Sequence, residues 1–300
     1  MRIALDATYS VGDGLTGVGV YSREILYGLA AAHPEGELVF CYRLHRFRRS
    51  FGEPLPNNAV RRPLLDRFPV RSALFHALNQ RIGGRRRART VSTFHDLFVL
   101  TAGYSTPEFR ARFDAQARAA AEKSDLIIAV SDFTARQVQG LLGVEPARIR
   151  VIHHGVHPPA ADPPQDAERE DIILNVGAIQ KRKNIARLVT AFERAAPAGW
   201  RLVLAGSAGY GSEEILQAIE ASPRRPDIDV PGYIDAAELH SLYRRARVFA
   251  FPSLDEGFGM PVLDAMANGV PVLTSDRSAL PEVAGDSALL TDPESTDEIA

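Results

Sequence analysis

One cysteine, Cys41, stands in 300 residues, so no internal disulfide can form and a reducing compartment is expected. No apolar run approaches the roughly 18 residues that a membrane-spanning helix needs. The opening Met1-Arg2-Ile3-Ala4-Leu5-Asp6 reads as a strand and not as a signal peptide, so the expected location is cytoplasmic. Zinc-ligand spacings are missing, and no Asp-x-Asp pair stands at the end of a strand pattern, so no metal is expected. Acids are scarce in one stretch, where residues 41–90 hold thirteen arginines against only Glu53 and Asp66. Such an excess suits an anionic surface. A membrane face is favoured over nucleic acid because no nucleic-acid motif or interleaved aromatics accompany the arginines; an arginine-rich solvated face is the plainer alternative.

What is present is ordinary for globular protein. Apolar residues make up 45% and charged ones 24%, which excludes a disordered chain. The length exceeds what one core comfortably fills and suits two domains of about 150 residues. Strand patterns at residues 2–7, 38–43, 90–95, 126–130 and 149–154 alternate with helix patterns at 19–32 and 107–123. Residues 157–171 interrupt the alternation with four prolines and six charges and read as a linker. A second alternation follows, with strands at 172–176, 202–205, 228–233 and 246–253 and helices at 184–195, 211–221 and 235–245. Two doubly wound parallel-sheet domains are therefore expected, at 1–158 and 171–300, joined by a linker at 159–170. The final residues, 293–300, start a helix capped by Ser295 or Thr296 and stop after one turn, which should not stand alone.

The most informative stretch is Asp255-Glu256-Gly257-Phe258-Gly259-Met260-Pro261-Val262-Leu263-Asp264. A buried strand precedes it, Pro261 occupies an early helical position, and Gly269 follows the helix. The loop thus leaves the carboxyl end of a strand and feeds a helix N-terminus, where backbone N–H groups and the helix dipole favour a phosphate. Two carboxylates, Glu256 and Asp264, flank that anion site, which gives them another task, such as holding hydroxyls or assisting bond cleavage. A second cluster, Gly177 through Lys181-Arg182-Lys183-Asn184, places three cations after a strand, as a departing diphosphate would require. The four glycines of residues 11–21 and the His95-Asp96 pair at another strand end complete the candidates.

The run from Asp255 to Pro271 resembles the E-x7-E signature of the retaining glycosyltransferases of family 4, the group 1 transferases, with Asp264 in place of the second glutamate. Gly177 to Asn184 is similar to that family's V-G-x-x-x-x-R-K-N, and Thr93-Phe94-His95-Asp96 to its T-x-H-D. The resemblance implies the GT-B fold, two Rossmann-like domains facing a cleft, with further C-terminal helices that this chain lacks. It implies that Arg182 and Lys183 grip a donor diphosphate, helped by Gly177, Phe258, Gly259 and Met260, and that Asp264 holds ribose hydroxyls. By the same resemblance Glu256, His95 and Asp96 meet the transferred sugar, and Gly17 and Gly19 lie near the diphosphate and acceptor. The pattern is similar to α-mannosyltransferases of polysaccharide synthesis, which implies GDP-mannose as donor, a glycan or lipid-linked saccharide as acceptor, and no cofactor or metal. A nucleotide-sugar epimerase of the same fold and a non-catalytic nucleotide-sugar or membrane-binding subunit are the alternatives.

Overall fold

Short runs rich in Val, Ile, Leu and Ala become strands covered on both faces, as an all-parallel sheet demands. The computed structural model describes residues 1–12, 14–83, 89–157 and 169–300; residues 159–168 of the expected linker, and Arg85, Arg86 and Arg87, lie outside these. The chain divides into two compact units: unit 1 comprises Met1–Leu100 and Thr106–His154, and unit 2 Thr101–Ser105 and Gly155–Ala300. Among the described residues no helix is long and apolar enough to cross a membrane.

Unit 1 is built on β1 (Arg2–Asp6), α1 (Gly17–Ala32), β2 (Glu37–Tyr42), α2 (Leu44–Phe47), β3 (Ala59–Pro63), β4 (Leu74–Ala77), β5 (Thr90–Phe94), α3 (Phe98–Thr101), α4 (Pro107–Lys123), β6 (Leu126–Ala129), α5 (Asp132–Leu142) and β7 (Ile149–Val151). Its strands are all parallel, in the order β3-β2-β1-β4-β5-β6-β7. The Ser131 hydroxyl caps α5 by accepting from Thr134 N at 3.0 Å, and Gly143 ends that helix at φ 68°. Strands β3 and β4 were not expected. Edge strand β3, Ala-Val-Arg-Arg-Pro, reads as a charged turn, and only an edge tolerates its proline.

Unit 2 comprises β8 (Glu170–Val176), α6 (Ile185–Ala195), β9 (Arg201–Ala205), α7 (Ser212–Glu220), β10 (Ile228–Gly232), α8 (Ala236–Arg245), β11 (Ala246–Phe251), α9 (Met260–Ala267), β12 (Val272–Ser275), α10 (Leu280–Ala284), β13 (Leu289–Thr291) and α11 (Thr296–Ile299). The order β10-β9-β8-β11-β12-β13 is that of a dinucleotide-binding sheet. Each sheet by itself is the doubly wound, parallel kind expected of a GT-B domain.

Two expectations change here. Arg169, read as part of the linker, is 4% exposed and donates to the carbonyls of Ala246 (2.9 Å) and Asn268 (2.9 Å), joining β8 to the ends of α8 and α9. The last turn, α11, is supported after all. Ile299 is buried with Ile185, Leu188 and Phe192, while Asn184 and Arg187 donate to the Pro293 carbonyl at 2.7 and 2.9 Å.

Candidate active site

In unit 2, β8 and β11 are neighbours whose connections run to opposite sides, β8 towards β9 and β11 towards β12. The loops leaving their carboxyl ends therefore diverge, and the crevice between them is where such sheets bind ligands. Those loops hold the two stretches singled out in the sequence, Gly177 to Asn184 and Pro252 to Gly259. They are tied together, since Leu254 N donates to Arg182 O at 2.8 Å and Asn184 Nδ2 to Pro252 O at 3.0 Å. Gly177 has φ 144°, and a Cβ there would come 3.2 Å from Lys183 Cε, so the glycine leaves room for the lysine stem.

Arg182, Lys183 and Glu256 form one buried ion cluster, each 7–8% exposed. Lys183 Nζ lies 2.6 Å from Glu256 Oε1, and Arg182 Nη1 2.8 Å from Oε2; the same guanidinium donates to the Asp255 carbonyl. The ammonium also sits 4.4 Å from the centre of the Phe251 ring. Burial alone would raise the Glu256 carboxyl, but the two cations and their hydrogen bonds outweigh it and hold it at about 2. Its neighbour Asp255 accepts from Thr101 Oγ1 at 2.9 Å; burial raises that carboxyl, against the Thr101 bond and Arg182.

The loop then enters α9 through Gly259 at φ 111°, where a Cβ would meet Leu280 Cδ2 at 2.7 Å. The N-cap residue Gly259 has no side chain to cap the helix, Pro261 offers no N–H, and Val262 N donates to the Gly259 carbonyl at 2.9 Å. Phe258 is buried and Met260 half-buried. Asp264, one turn into α9, is half-buried, and desolvation raises its carboxyl to about 6 despite the pull of His157. The two acids thus differ strongly: Glu256 is locked as a carboxylate, whereas Asp264 titrates close to neutrality.

Unit 1 gathers a different group. His95, directly after β5, is 9% exposed, and its Nε2 lies 2.9 Å from the Leu78 carbonyl. Because a carbonyl only accepts, Nε2 carries the proton and Nδ1 is the acceptor. The ring stacks on His154 (centroids 5.6 Å apart, 16° between planes) and meets Tyr21 edge-on at 4.6 Å. Thr93 Oγ1 joins the Tyr21 hydroxyl (3.0 Å) and His76 Nε2 (2.9 Å). Burial lowers His95 and His76 to about 4 and His154 to about 3, so all three imidazoles are neutral at pH 7. Asp96 follows His95, half-buried. Gly17 is the first residue of α1 and is exposed. At Gly19 a Cβ would come 2.8 Å from the Tyr9 carbonyl, so the chain's own packing requires this glycine.

Sequence reasoning proposed Arg182, Lys183 and Glu256 separately, and the structure joins them. It left His154 without a role and missed Tyr21 and His76 around His95, and Thr101 against Asp255; none of these carries a spacing signal, since the partners lie far apart in the chain.

Two family profiles match. One described as "Glycosyl transferases group 1" spans residues 160–300 and one described as "Glycosyltransferase Family 4" residues 16–158. O-antigen chain mannosyltransferase B of Escherichia coli is 28% identical, over 98% of this chain and 87% of its own. Serotype-specific mannosyltransferase WbdA of Escherichia coli is 31% identical over 70% of this chain, a match that covers only 28% of WbdA. Among solved structures, sucrose-phosphate synthase of Thermosynechococcus elongatus superposes with a TM-score of 0.78 at 20% identity, covering 100% of this chain and 88% of that one. HepE of Anabaena, solved with UDP-glucose, gives 0.71 at 15% identity, covering 100% and 87%. At these identities the two structures speak for the fold alone.

Proposed function

The chain belongs to the group 1 glycosyltransferases of family 4, and from that premise we propose that it moves mannose from GDP-mannose, with retention at the anomeric carbon, to a hydroxyl of a glycan or lipid-linked saccharide in polysaccharide synthesis. The observation that carries the reading is the buried Arg182–Glu256–Lys183 cluster at the crevice between β8 and β11. Mannose is supported by the names of the relatives from Escherichia coli, both mannosyltransferases. We place the reaction in the cytoplasm, with the acceptor held at an anionic membrane surface.

As the bond from the anomeric carbon to the diphosphate breaks, its electron pair stays on the diphosphate oxygen. Arg182, Lys183 and the N-terminus of α9 meet that charge, and each such fixed donor contributes on the order of 3 kcal/mol at a transition state. Two cations at this crevice suit an anion, and no metal ion or cofactor is required. The acceptor hydroxyl then attacks from the face the diphosphate leaves, and its proton passes to the departing diphosphate oxygen. Glu256, held by two cations at about 2, is a weak nucleophile; its carboxylate stabilises the positive charge that grows on the sugar. Asp264 holds the ribose hydroxyls. His95, neutral and fixed with Nδ1 as acceptor, orients a sugar hydroxyl alongside Asp96.

A transfer assay with a panel of nucleotide sugars in the presence of a chelator tests this. The expected result is an α-mannoside from GDP-mannose, with the anomer assigned by proton couplings. An inverted product, or a requirement for metal, contradicts the mechanism. An altered sugar nucleotide formed without acceptor indicates an epimerase, and donor binding without turnover a non-catalytic subunit.

A further inference from the structure

Glu256 is held by its backbone as well as by its side chain. Its N–H donates to Ser278 Oγ at 3.0 Å, and its carbonyl accepts from Ala279 N at 3.2 Å. Ser278 and Ala279 are consecutive residues of the connection from β12 to α10, so one stretch of chain takes both polar groups of the Glu256 backbone. The connection is itself anchored: Arg277 N donates to Ser275 Oγ at 3.2 Å, the Arg277 guanidinium pairs with Asp292 at 2.7 Å and Glu294 at 2.9 Å, and Ala279 and Leu280 are fully buried.

Ser278 makes its bond from a conformation that serine seldom adopts. Its φ is 58°, in the left-handed region, where a Cβ is crowded by the following carbonyl oxygen. Among the described residues other than glycine, only Asn184 shares that region, and it too borders the ion cluster, directly after Lys183. Asparagine is one of the residues that tolerate it; serine is less suited, and glycine would make the same turn without strain. What serine has and glycine lacks is the hydroxyl. Its one proton goes to the Arg277 carbonyl at 2.7 Å, so Oγ turns a lone pair to the Glu256 N–H. Strain of this kind persists where a fixed geometry serves the site.

We propose that Ser278 is a positioning residue of the transfer reaction: its hydroxyl, held on a strained backbone, fixes the Glu256 peptide and thereby the point at which the Glu256 carboxylate meets the sugar. Arg182 and Lys183 reach that carboxylate at the ends of long side chains, which can follow it if it shifts; they hold its charge without fixing its place. The bonds from Ser278 and Ala279 supply the fixed point. A small displacement of a group that acts on developing charge costs rate and leaves ground-state binding of the nucleotide alone. The effect on rate rests on the transferase reading, whereas the clasp on Glu256 does not.

Two variants of the full chain separate position from stability. Ser278→Ala removes the acceptor and keeps the strain, whereas Ser278→Gly removes both. Each should lower kcat about tenfold with GDP affinity within about twofold of the parent, and Ser278→Gly should unfold at a higher denaturant concentration than Ser278→Ala. A kcat that recovers along with stability in Ser278→Gly would mean a structural role only and overturn the proposal. Combining Ser278→Ala with Glu256→Gln gives the sharper comparison. Because the serine acts through the Glu256 charge, it should change kcat by less than about twofold in that background, and a full tenfold fall there would also overturn the proposal. Amide exchange at Glu256, followed by NMR, reads the clasp without any turnover. Both Ser278 variants should exchange that proton about fivefold faster, the value of one hydrogen bond, and an unchanged rate would contradict the clasp. Faster exchange in a chain that transfers no sugar supports the clasp and removes only the transferase reading.

Discussion

The two units place chemically opposite groups at the carboxyl ends of their parallel strands. Unit 2 buries three charges, Arg182, Lys183 and Glu256, that hold one another. Unit 1 gathers three imidazoles, His76 and His95 buried and His154 half-buried, that desolvation keeps uncharged. The difference matches the two halves of a transfer reaction: a diphosphate needs fixed charge to leave, while neutral sugar hydroxyls need fixed hydrogen-bond acceptors and would gain little from a net charge.

The largest expected effect comes from removing the charge at the centre of the unit 2 cluster. Glu256→Gln should lower kcat at least about 100-fold while leaving nucleoside diphosphate affinity nearly unchanged, the mark of an interaction that matters in the transition state. Glu256→Ala goes further, because it leaves two buried cations facing each other; unfolding in denaturant should show a loss of about 3–5 kcal/mol. A fully active Glu256→Gln enzyme would erase the contrast between the units.

Acid should break the two regions in different windows. His76 and His95 titrate at about 4 in the folded chain against 6.5 unfolded, so the unfolded state takes up protons first. Their contribution is present above 6.5 and is lost as pH falls from there to about 4, on the order of 3 kcal/mol for each. Glu256, at about 2 against 4.5, keeps its contribution above 4.5 and loses it as pH falls towards 2. Trp200, the single tryptophan, packs in unit 2 and offers a local probe. On acidification, circular dichroism should change before Trp200 fluorescence does; simultaneous changes would mean that the units do not differ in this way.

A smaller effect separates the two acids of unit 2. Asp264 is raised from 3.8 to about 6, so it is ionised at pH 7 and becomes protonated just below 6. In the proposed role of acceptor for ribose hydroxyls it should lose affinity for nucleotide across that range, by about fourfold at pH 5.5. Calorimetry at pH 7.5 and 5.5, or about two pH steps bracketing the titration, should show the fall in the parent and a flat response in Asp264→Asn.

Much of this arrangement could be read along the chain, for reasons that are local. The strand–loop–helix grammar around Glu256 and Gly259 lies within a few residues, and so does the cationic run at Lys181-Arg182-Lys183. Strands β3, β4 and β13 escaped because they are short and, in β3, carry Arg61, Arg62 and Pro63 on an edge. Arg169 looked like a linker charge, since nothing near it in the chain reveals the carbonyls that wait 74 to 100 residues away. The Lys183–Glu256 pair, 73 residues apart, was visible as two motifs but not as one cluster. Tyr21, His76 and His154 were illegible for the same reason, because only the sheet brings α1, β4 and the end of β7 to one ring.

The claim that charge for the donor resides in unit 2 and not in unit 1 is tested most directly by titrating GDP into the parent, Lys183→Ala and His95→Ala in a calorimeter. Lys183→Ala should lose about 10- to 150-fold in affinity, the value of one charge-assisted hydrogen bond, and His95→Ala should stay within about twofold of the parent. Equal losses in the two variants, or an unchanged Lys183→Ala, would contradict it.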